Sequence, residues 1–532
     1  MELTLSQEID RRRTFAIISH PDAGKTTITE KLIYLGGLIR EAGEVKGKQG
    51  TKSATSDWMT MEKERGISVT SSVMQFDFDQ KRVNLLDTPG HKDFSEDTYR
   101  TLVAADSALM LIDVAKGVEE RTKKLYEVCR YRKIPIFTFI NKCDRDGKEP
   151  LALFDEIEQT LQMKCFPINW PLGFGDLFRG VYHRLEKQVY IYNKADDTFA
   201  VIPVESMDDP RWKDWIHPDL LESVLEEIEL LDLENESFNV DQFLAGEISP
   251  AFFGSAKLNF GVDHFLRQFV QWAPGPSQRP IEGGVLDPHQ ESLTGFIFKI
   301  QANMDKRHRD RMAFMRICSG KFERGMKVKH GRLGREIRLS HSSQFLAQER
   351  ATVEAAYAGD IVGVSDPGLF RIGDSISAGK KVVFEKIPQF SPELFCKLTV
   401  KDALKRQKLQ KGLKELSEEG VIQMFIEPAI GIQDPIIGVV GELQFEVLIF
   451  RLQDEYNLET RLLRQPYTVA RWPRGVDGEP VADIKGASTV FRDAEDRPVI
   501  LAGNEWDLNW LVKENPEVTF GSPFSDGMKE WL

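Results

Sequence analysis

Cysteine is scarce in this chain: five occur in 532 residues, Cys129, Cys143, Cys165, Cys318 and Cys396, with no Cys-x-x-Cys pair among them. That spacing excludes a disulfide framework and a cysteine-rich zinc site, and points to reduced thiols in a cytoplasmic protein. Long hydrophobic runs are lacking as well; none approaches the roughly 20 apolar residues that cross a bilayer. Met1 to Asp10 is too polar for a secretory leader. No membrane partner is therefore expected. Excess positive charge is also missing, since the net charge is −13, which argues against nucleic-acid binding by bulk attraction. The charge is uneven, however: residues 201–250 hold 2 basic and 14 acidic side chains, and 301–350 hold 13 basic and 5 acidic. With 41% hydrophobic and 29% charged residues, the chain has the composition of a soluble globular protein of about three domains.

Three short polar pieces each follow an apolar run. Phe15 to Ile18 leads into Ser19-His20-Pro21-Asp22-Ala23-Gly24-Lys25-Thr26, continued by Thr27. Val83 to Leu86 leads into Asp87-Thr88-Pro89-Gly90-His91, and Ile136 to Ile140 into Asn141-Lys142-Cys143-Asp144. Buried parallel strands would bring the pieces together, because open α/β sheets bind ligands at the carboxyl ends of their strands. The first piece suits phosphates: a tight turn aims backbone N–H groups at them, Lys25 bridges the β- and γ-phosphates, and the Thr26 hydroxyl takes Mg²⁺. Ser19 departs from the usual pattern, standing where the first Gly of a P-loop is found. The second piece senses the terminal phosphate: Asp87 reaches Mg²⁺ through water, the Gly90 N–H meets the γ-phosphate, and His91 stands where a side chain orients the attacking water. The third reads the base, because the Asp144 carboxylate accepts guanine's N1–H and exocyclic amine, a pair of donors adenine does not offer. Ser255-Ala256-Lys257 follows a further apolar run, Ala251 to Phe253, and can place an N–H on the guanine oxygen.

Along the chain, residues 1–273 alternate strands and helices as a doubly wound α/β P-loop domain does. Lys25 to Leu35 and Glu119 to Arg132 have helical patterns, and Val73 to Phe78 turns at Asp79-Gln80 into the Val83 strand. Between Asp144 and Ser255 lies more chain than one helix and one strand require, and the excess, about 164–247, predicts an inserted subdomain with Trp170, Trp212, Trp215 and an acidic helix near Leu220 to Leu231. Residues 40–66 lack an apolar period, as suits a loop ordered with a γ-phosphate, and Ser68 at its end offers Mg²⁺ a hydroxyl. Pro274-Gly275-Pro276 and Pro388 to Pro392 mark linkers. Between them, 281–387 reads as a β-barrel. Residues 388–532 read as an α+β domain whose order, strand-helix-strand-strand-helix-strand, is ferredoxin-like; a further helix is expected near Asn504 to Lys513.

These motifs resemble those of the translational GTPases, which share the Asp-Ala-Gly-Lys-Thr-Thr loop, Asp-Thr-Pro-Gly-His and Asn-Lys-x-Asp. Among them the chain is similar to the bacterial peptide chain release factor three family over essentially its whole length, with Ser19-His20-Pro21-Asp22, Asp57-Trp58-Met59 and Gln301-Ala302-Asn303-Met304-Asp305 as discriminating stretches. Elongation factor G resembles the front of the chain but would continue into two further domains. The resemblance implies a GTPase stimulated by the ribosome that promotes dissociation of class I release factors after peptide release, with GTP and GDP as substrate and product, Mg²⁺ bound, and a monomeric state. It implies that His91 positions the water, with Pro21 and Ile67 as the apolar pair flanking that histidine. No arginine finger in cis is evident, which fits a low intrinsic rate awaiting an external trigger. Lys306, Arg307, Arg309 and Arg311 become candidates for RNA phosphates, as does the group Lys401, Lys405, Arg406, Lys408, Lys411 and Lys414. Another translational GTPase, or a GTPase subunit of a metabolic enzyme such as sulfate activation, remains an alternative.

Overall fold

The computed structural model describes residues 3–38, 71–193, 198–204, 206–233, 237–302, 311–339, 342–346, 349–387 and 389–522. The 40–66 loop, Ile67 and Ser68, and Lys306, Arg307 and Arg309 of the basic run, fall outside the described residues.

The first domain is built on one sheet. Its strands are β1 Arg12–Ser19, β2 Ser72–Phe78, β3 Lys81–Asp87, β4 Ser107–Asp113, β5 Ile136–Asn141 and β6 Lys164–Pro167. An insert contributes β7 Asn169–Pro171, β8 Gly180–His183, β9 Gln188–Asn193 and β10 Thr198–Pro203, and β11 Ile248–Phe253 returns to the main sheet. The order is β2-β3-β1-β4-β5-β11-β6, and the β2–β3 hairpin is the antiparallel pairing in an otherwise parallel set. Asp79 and Gln80 at the hairpin tip take φ of 44° and 61°, the left-handed geometry of a two-residue loop that matches strand twist.

Both faces of this sheet are covered, so β1 is buried at every position and its side chains alternate between two cores. Phe15 and Ile17 pack with Ile28, Leu32 and Ile33 of the helix Lys25–Leu35 and with Phe265 and Phe269 of the helix Val262–Trp272. Ala16 and Ile18 face the other way, toward Leu102, Leu125 and Leu153 of the helices Ser95–Ala104, Glu120–Tyr131 and Pro150–Leu161. Each such large side chain contributes about 1.5–3 kcal/mol by leaving water. This double coverage leaves the strand ends as the place where polar groups can gather.

The insert begins later than the sequence suggests. Lys164–Pro167 pairs in parallel with β11 at the edge of the main sheet, so the excursion starts after Pro167. Its own sheet, β10-β9-β8-β7, is an antiparallel meander. Asn169 ties it to the parent sheet: its side chain donates to Phe253 O at 3.1 Å and accepts from Phe253 N at 2.6 Å. Trp170, fully buried, stacks on Phe154 and donates to Glu227 of the acidic helix Leu221–Leu233.

His183 and Glu186, on the β8–β9 turn, meet His264 of the helix Val262–Trp272. His183 Nδ1 accepts the Glu186 N–H at 3.0 Å. Its Nε2 therefore carries the ring proton and is not free to ligate a metal. Burial, and then the neighbouring His264, hold the His183 pKa down at about 3, while the His264 ring, its Nε2 3.7 Å from the carboxylate, holds Glu186 at about 2. Both shifts have the same sign for stability. The unfolded His183 takes up its proton below its ordinary 6.5 whereas the folded one does not, so stability falls as pH drops from there toward 3. Glu186 adds a further loss below its ordinary range. The protection factors over β8 and β9, that is, exchange normalised to the intrinsic rate at each pH, are accordingly expected to fall between pH 7.5 and 5.5 in the parent and to be flatter in His183→Gln; a parent protection factor independent of pH contradicts this.

The second domain is an eight-stranded antiparallel, barrel-like sheet that includes Thr294–Ala302, Arg311–Ser319 and Ile361–Ser365. Its core holds Ile297, Met315, Ile317, Val328, Val362 and Ile376. Asp106 of the first domain anchors it, receiving Arg279 at 3.1 Å and pairing with the buried Arg316. Thr14 Oγ1 also donates to Gly359 O at 2.7 Å. In the third domain the sheet order is Gln423–Phe425, Ile436–Val439, Leu394–Val400, Thr460–Arg464, with the helices Arg406–Glu418 and Glu442–Tyr456 between strands. That is the ferredoxin-like arrangement. The tail forms a second sheet around Val469–Arg474 and Pro498–Ala502, and a helix Glu505–Glu514 capped by Asn504.

One member of the basic run is not available to RNA. Arg311 is ion-paired with the buried Asp366 at 2.6 Å and with Glu418 of the third domain, so it joins two domains. Lys401 likewise pairs with Glu459 and Lys411 with Glu415, both on the surface.

Candidate nucleotide site

The ends of β1, β3, β5 and β11 bring the polar pieces together. Ser19 closes β1 and is buried. Asp22 and Gly24 turn the chain with φ of 66° and 96°, and the helix Lys25–Leu35 starts at once, with Thr26 and Thr27 half-buried in its first turn. Gly24 is required twice over. Its φ suits glycine, and a Cβ there would lie 2.2 Å from Asn141 Nδ2.

Asn141 is the clamp of the site. Its Nδ2 donates to Ala23 O at 2.8 Å and its Oδ1 accepts the Ala256 N–H at 2.9 Å, so one side chain ties the phosphate turn to the Ser255-Ala256-Lys257 turn. Lys142, at φ 71°, reaches back to Asp22 O at 2.5 Å and to Asp113 Oδ2 at 2.7 Å. Burial opposes the charge of Asp113, but the Lys142 ammonium and the Ala115 N–H outweigh it and leave its pKa below the ordinary range. Cys143 is fully buried, and burial raises its thiol pKa far above the ordinary value, so it is a packing residue. Asp144 accepts the Ser255 hydroxyl at 2.5 Å, with the exposed Lys257 ammonium 3.8 Å from its other oxygen. The carboxylate is thereby aimed while keeping acceptor capacity for a ligand's donors.

At the phosphate end, Lys25 and Asp87 form a buried pair at 2.6 Å. Thr88 donates to Ile17 O at 2.6 Å, fastening the end of β3 to β1. Pro89 is buried and Gly90 abuts Pro21, where a Cβ would stand 3.6 Å from the Pro21 Cα. His20 pairs with Glu119 at 3.1 Å. His91 follows with its side chain 37% exposed and Nδ1 3.3 Å from Asp93. The arrangement can hold a polyphosphate on backbone N–H groups and Lys25, read a base through Asp144, and present an imidazole beside the phosphate end.

Two contributors are not evident from the motifs. Asp113, which holds Lys142, ends an apolar strand just as Asp87 does; that shared pattern is the signal that could have found it. Asp93 reads as an ordinary loop acid, and nothing local marks it.

Comparison with known proteins gives the family of each part of the chain. Residues 10–275 match the elongation factor Tu GTP binding domain family, 292–379 elongation factor G domain 2, and 384–512 the class II release factor RF3, C-terminal domain. Peptide chain release factor 3 of Symbiobacterium thermophilum is 54% identical over 97% of this chain and 98% of its own length. The chain belongs to the peptide chain release factor 3 family. Members from Trichodesmium erythraeum and Synechocystis are 49% and 50% identical over 97% and 96% of this chain, and 96% and 94% of their own lengths. A crystal structure of a protein from Thermus thermophilus superposes with a TM-score of 0.70 at 23% identity, over 91% of this chain and 72% of that one, which speaks to the fold alone. The protein is accordingly a translational GTPase of termination. The match over 384–512 sets aside the reading as a GTPase subunit of sulfate activation. No helix among the described residues is long and apolar enough to cross a membrane.

Proposed function

We propose that this GTPase works on the ribosome, in the cytoplasm and as a monomer, to dissociate class I release factors after the peptide has been freed. The observation that carries the GTP chemistry is the single polar cluster in which Asn141 joins the phosphate turn to the base-reading turn. In this reading the GTP-binding domain spans 1–273, the barrel 281–387 and the α+β domain 388–532.

Backbone N–H groups from Ser19 to Gly24 and the start of the following helix cradle the phosphates. Lys25 leaves Asp87 for the β- and γ-phosphates, and Thr88, Pro89 and Gly90 carry the γ-phosphate contact. Asp144 takes guanine's two donors, with the Ala256 N–H on its oxygen. Mg²⁺ fits the donor set: Thr26 and Ser68 offer hydroxyls and Asp87 a buried carboxylate, all hard oxygens. When bound, the ion neutralises charge on the phosphate oxygens. His91 orients the attacking water, in concert with ribosomal RNA.

GTP turnover with and without ribosomes tests this reading. Stimulation by about 10³-fold or more is expected of a site with no cis arginine evident among the described residues, and equal rates in both conditions refute it.

A further inference from the structure

The helix Glu442–Tyr456 of the third domain begins at Gly441, which has no side chain with which to cap it. Gln444, three residues on, reaches back to the N–H groups of Val440 and Gly441 at 2.7 and 3.2 Å. That is half of a capping box. The other half comes from another domain: Asp93 Oδ2 accepts the Leu443 N–H at 2.7 Å, as an N-cap carboxylate would. The fit is close, since a Cβ on Gly441 would lie 2.0 to 2.4 Å from the Asp93 carboxylate atoms. Phe94, the next residue, packs with Leu443 and Val447 in an apolar cluster of its own.

Asp93 also touches His91. His91 Nδ1 stands 3.3 Å from both the Asp93 backbone N and its Oδ1. The two partners select opposite tautomers: the backbone N–H favours a proton on Nε2, and the carboxylate favours one on Nδ1, leaving Nε2 able to accept from water. The carboxylate is buried, and among the described residues its charge is compensated by the helix N-terminus and the buried Arg121. Burial lowers the Arg121 pKa to about 10, with Asp93 acting to raise it.

We propose that Asp93 is a positioning residue for His91 whose hold depends on the third domain: docking of the Glu442–Tyr456 helix fixes the Asp93 carboxylate, and through it the tautomer and orientation of the His91 ring. This rests on the reading of His91 as the residue that orients water. It makes the placement of the third domain part of the catalytic apparatus, so a rearrangement of that domain changes the hydrolysis step without touching the nucleotide.

The test uses the full chain with Asp93→Asn, Gly441→Ala, both together, and His91→Ala. Asn keeps an oxygen for Leu443 but brings a donor to Nδ1, reversing the tautomer; Gly441 has φ −148°, so alanine strains no backbone and acts only through its methyl. Single-turnover GTP hydrolysis is measured with and without saturating ribosomes, with GDP affinity and exchange of the Leu443 amide alongside. Each single change is expected to lower the hydrolysis rate about tenfold with GDP affinity unaltered, and the double variant to be no slower than Asp93→Asn alone. Gly441→Ala is expected to speed exchange at Leu443. A parental rate in either variant, losses that multiply in the double variant, or a Leu443 amide indifferent to Gly441→Ala overturns the proposal. His91→Ala separates the two ideas. If it slows hydrolysis while Asp93→Asn does not, the Asp93 link alone fails; if it hydrolyses GTP at the parental rate, the role of His91 fails and the link with it.

Discussion

Replacing His91 with alanine is expected to reduce ribosome-stimulated GTP hydrolysis by about 10²- to 10⁴-fold, the range in which a positioned acid–base or water-orienting group acts. Nucleotide affinity should stay at the parental level, because the role proposed for His91 is on the attacking water, whereas the contacts proposed for the nucleotide come from Lys25, Asn141 and Asp144. Its side chain is more than a third exposed, so truncation opens no core cavity and the melting temperature should hold. Rapid-quench measurement of phosphate formation on saturating ribosomes checks this. A stimulated rate within about threefold of the parent, too small for the loss of such a group, contradicts the assignment.

Asp144→Asn should have the second largest effect, on binding and on base choice. The parental carboxylate is aimed by the Ser255 hydroxyl at 2.5 Å and is mostly shielded from water. It can accept both guanine donors, whereas an asparagine has one acceptor oxygen and sets its own N–H₂ against the guanine amine. The lost hydrogen bond and the unpaired donors together cost about 3–4 kcal/mol, or roughly 10²–10³ in affinity. Xanthine carries an oxygen where guanine has its amine, and that oxygen can accept from the asparagine. Displacement of a fluorescent nucleotide should therefore show the variant preferring xanthosine over guanosine diphosphate. Retained guanosine preference at parental affinity contradicts the role of Asp144.

Much of this architecture is legible in the sequence, for physical reasons that vary from element to element. Phe15 to Ile18 reads as a strand from a short, continuous apolar run closed by turn residues, as burial on both faces of the sheet requires, and Lys25–Leu35 starts and stops where its turn residues dictate. Asn504 announces its helix by capping it at Asp507 N. The edge strand Lys164–Pro167 is different. Four residues carry no reliable period, and its partner β11 lies beyond the whole insert, so it reads as the start of that insert. Arg311 reads as a free positive charge because its partners Asp366 and Glu418 are remote in the chain.

The candidate site follows the same rule. Residues that form motifs contiguous in the chain, such as Asp87 to His91 and Asn141 to Asp144, declare their chemistry through type and spacing. Asp113 ends an apolar run as Asp87 does, but its partner Lys142 is evident only once β4 is seen to lie between β1 and β5. Asp93 acquires meaning only when the third domain presents the Leu443 N–H to it, a contact 350 residues apart that no local pattern encodes.

The most direct measurement is the rate at which a labelled class I release factor leaves a ribosome that has already released its peptide, followed with the protein and GTP present. The predicted result is accelerated departure accompanied by GTP hydrolysis, with both lost when His91→Ala replaces the parent protein under multiple-turnover conditions. Departure at the spontaneous rate, in the presence of protein that binds GTP normally, would contradict the proposed function.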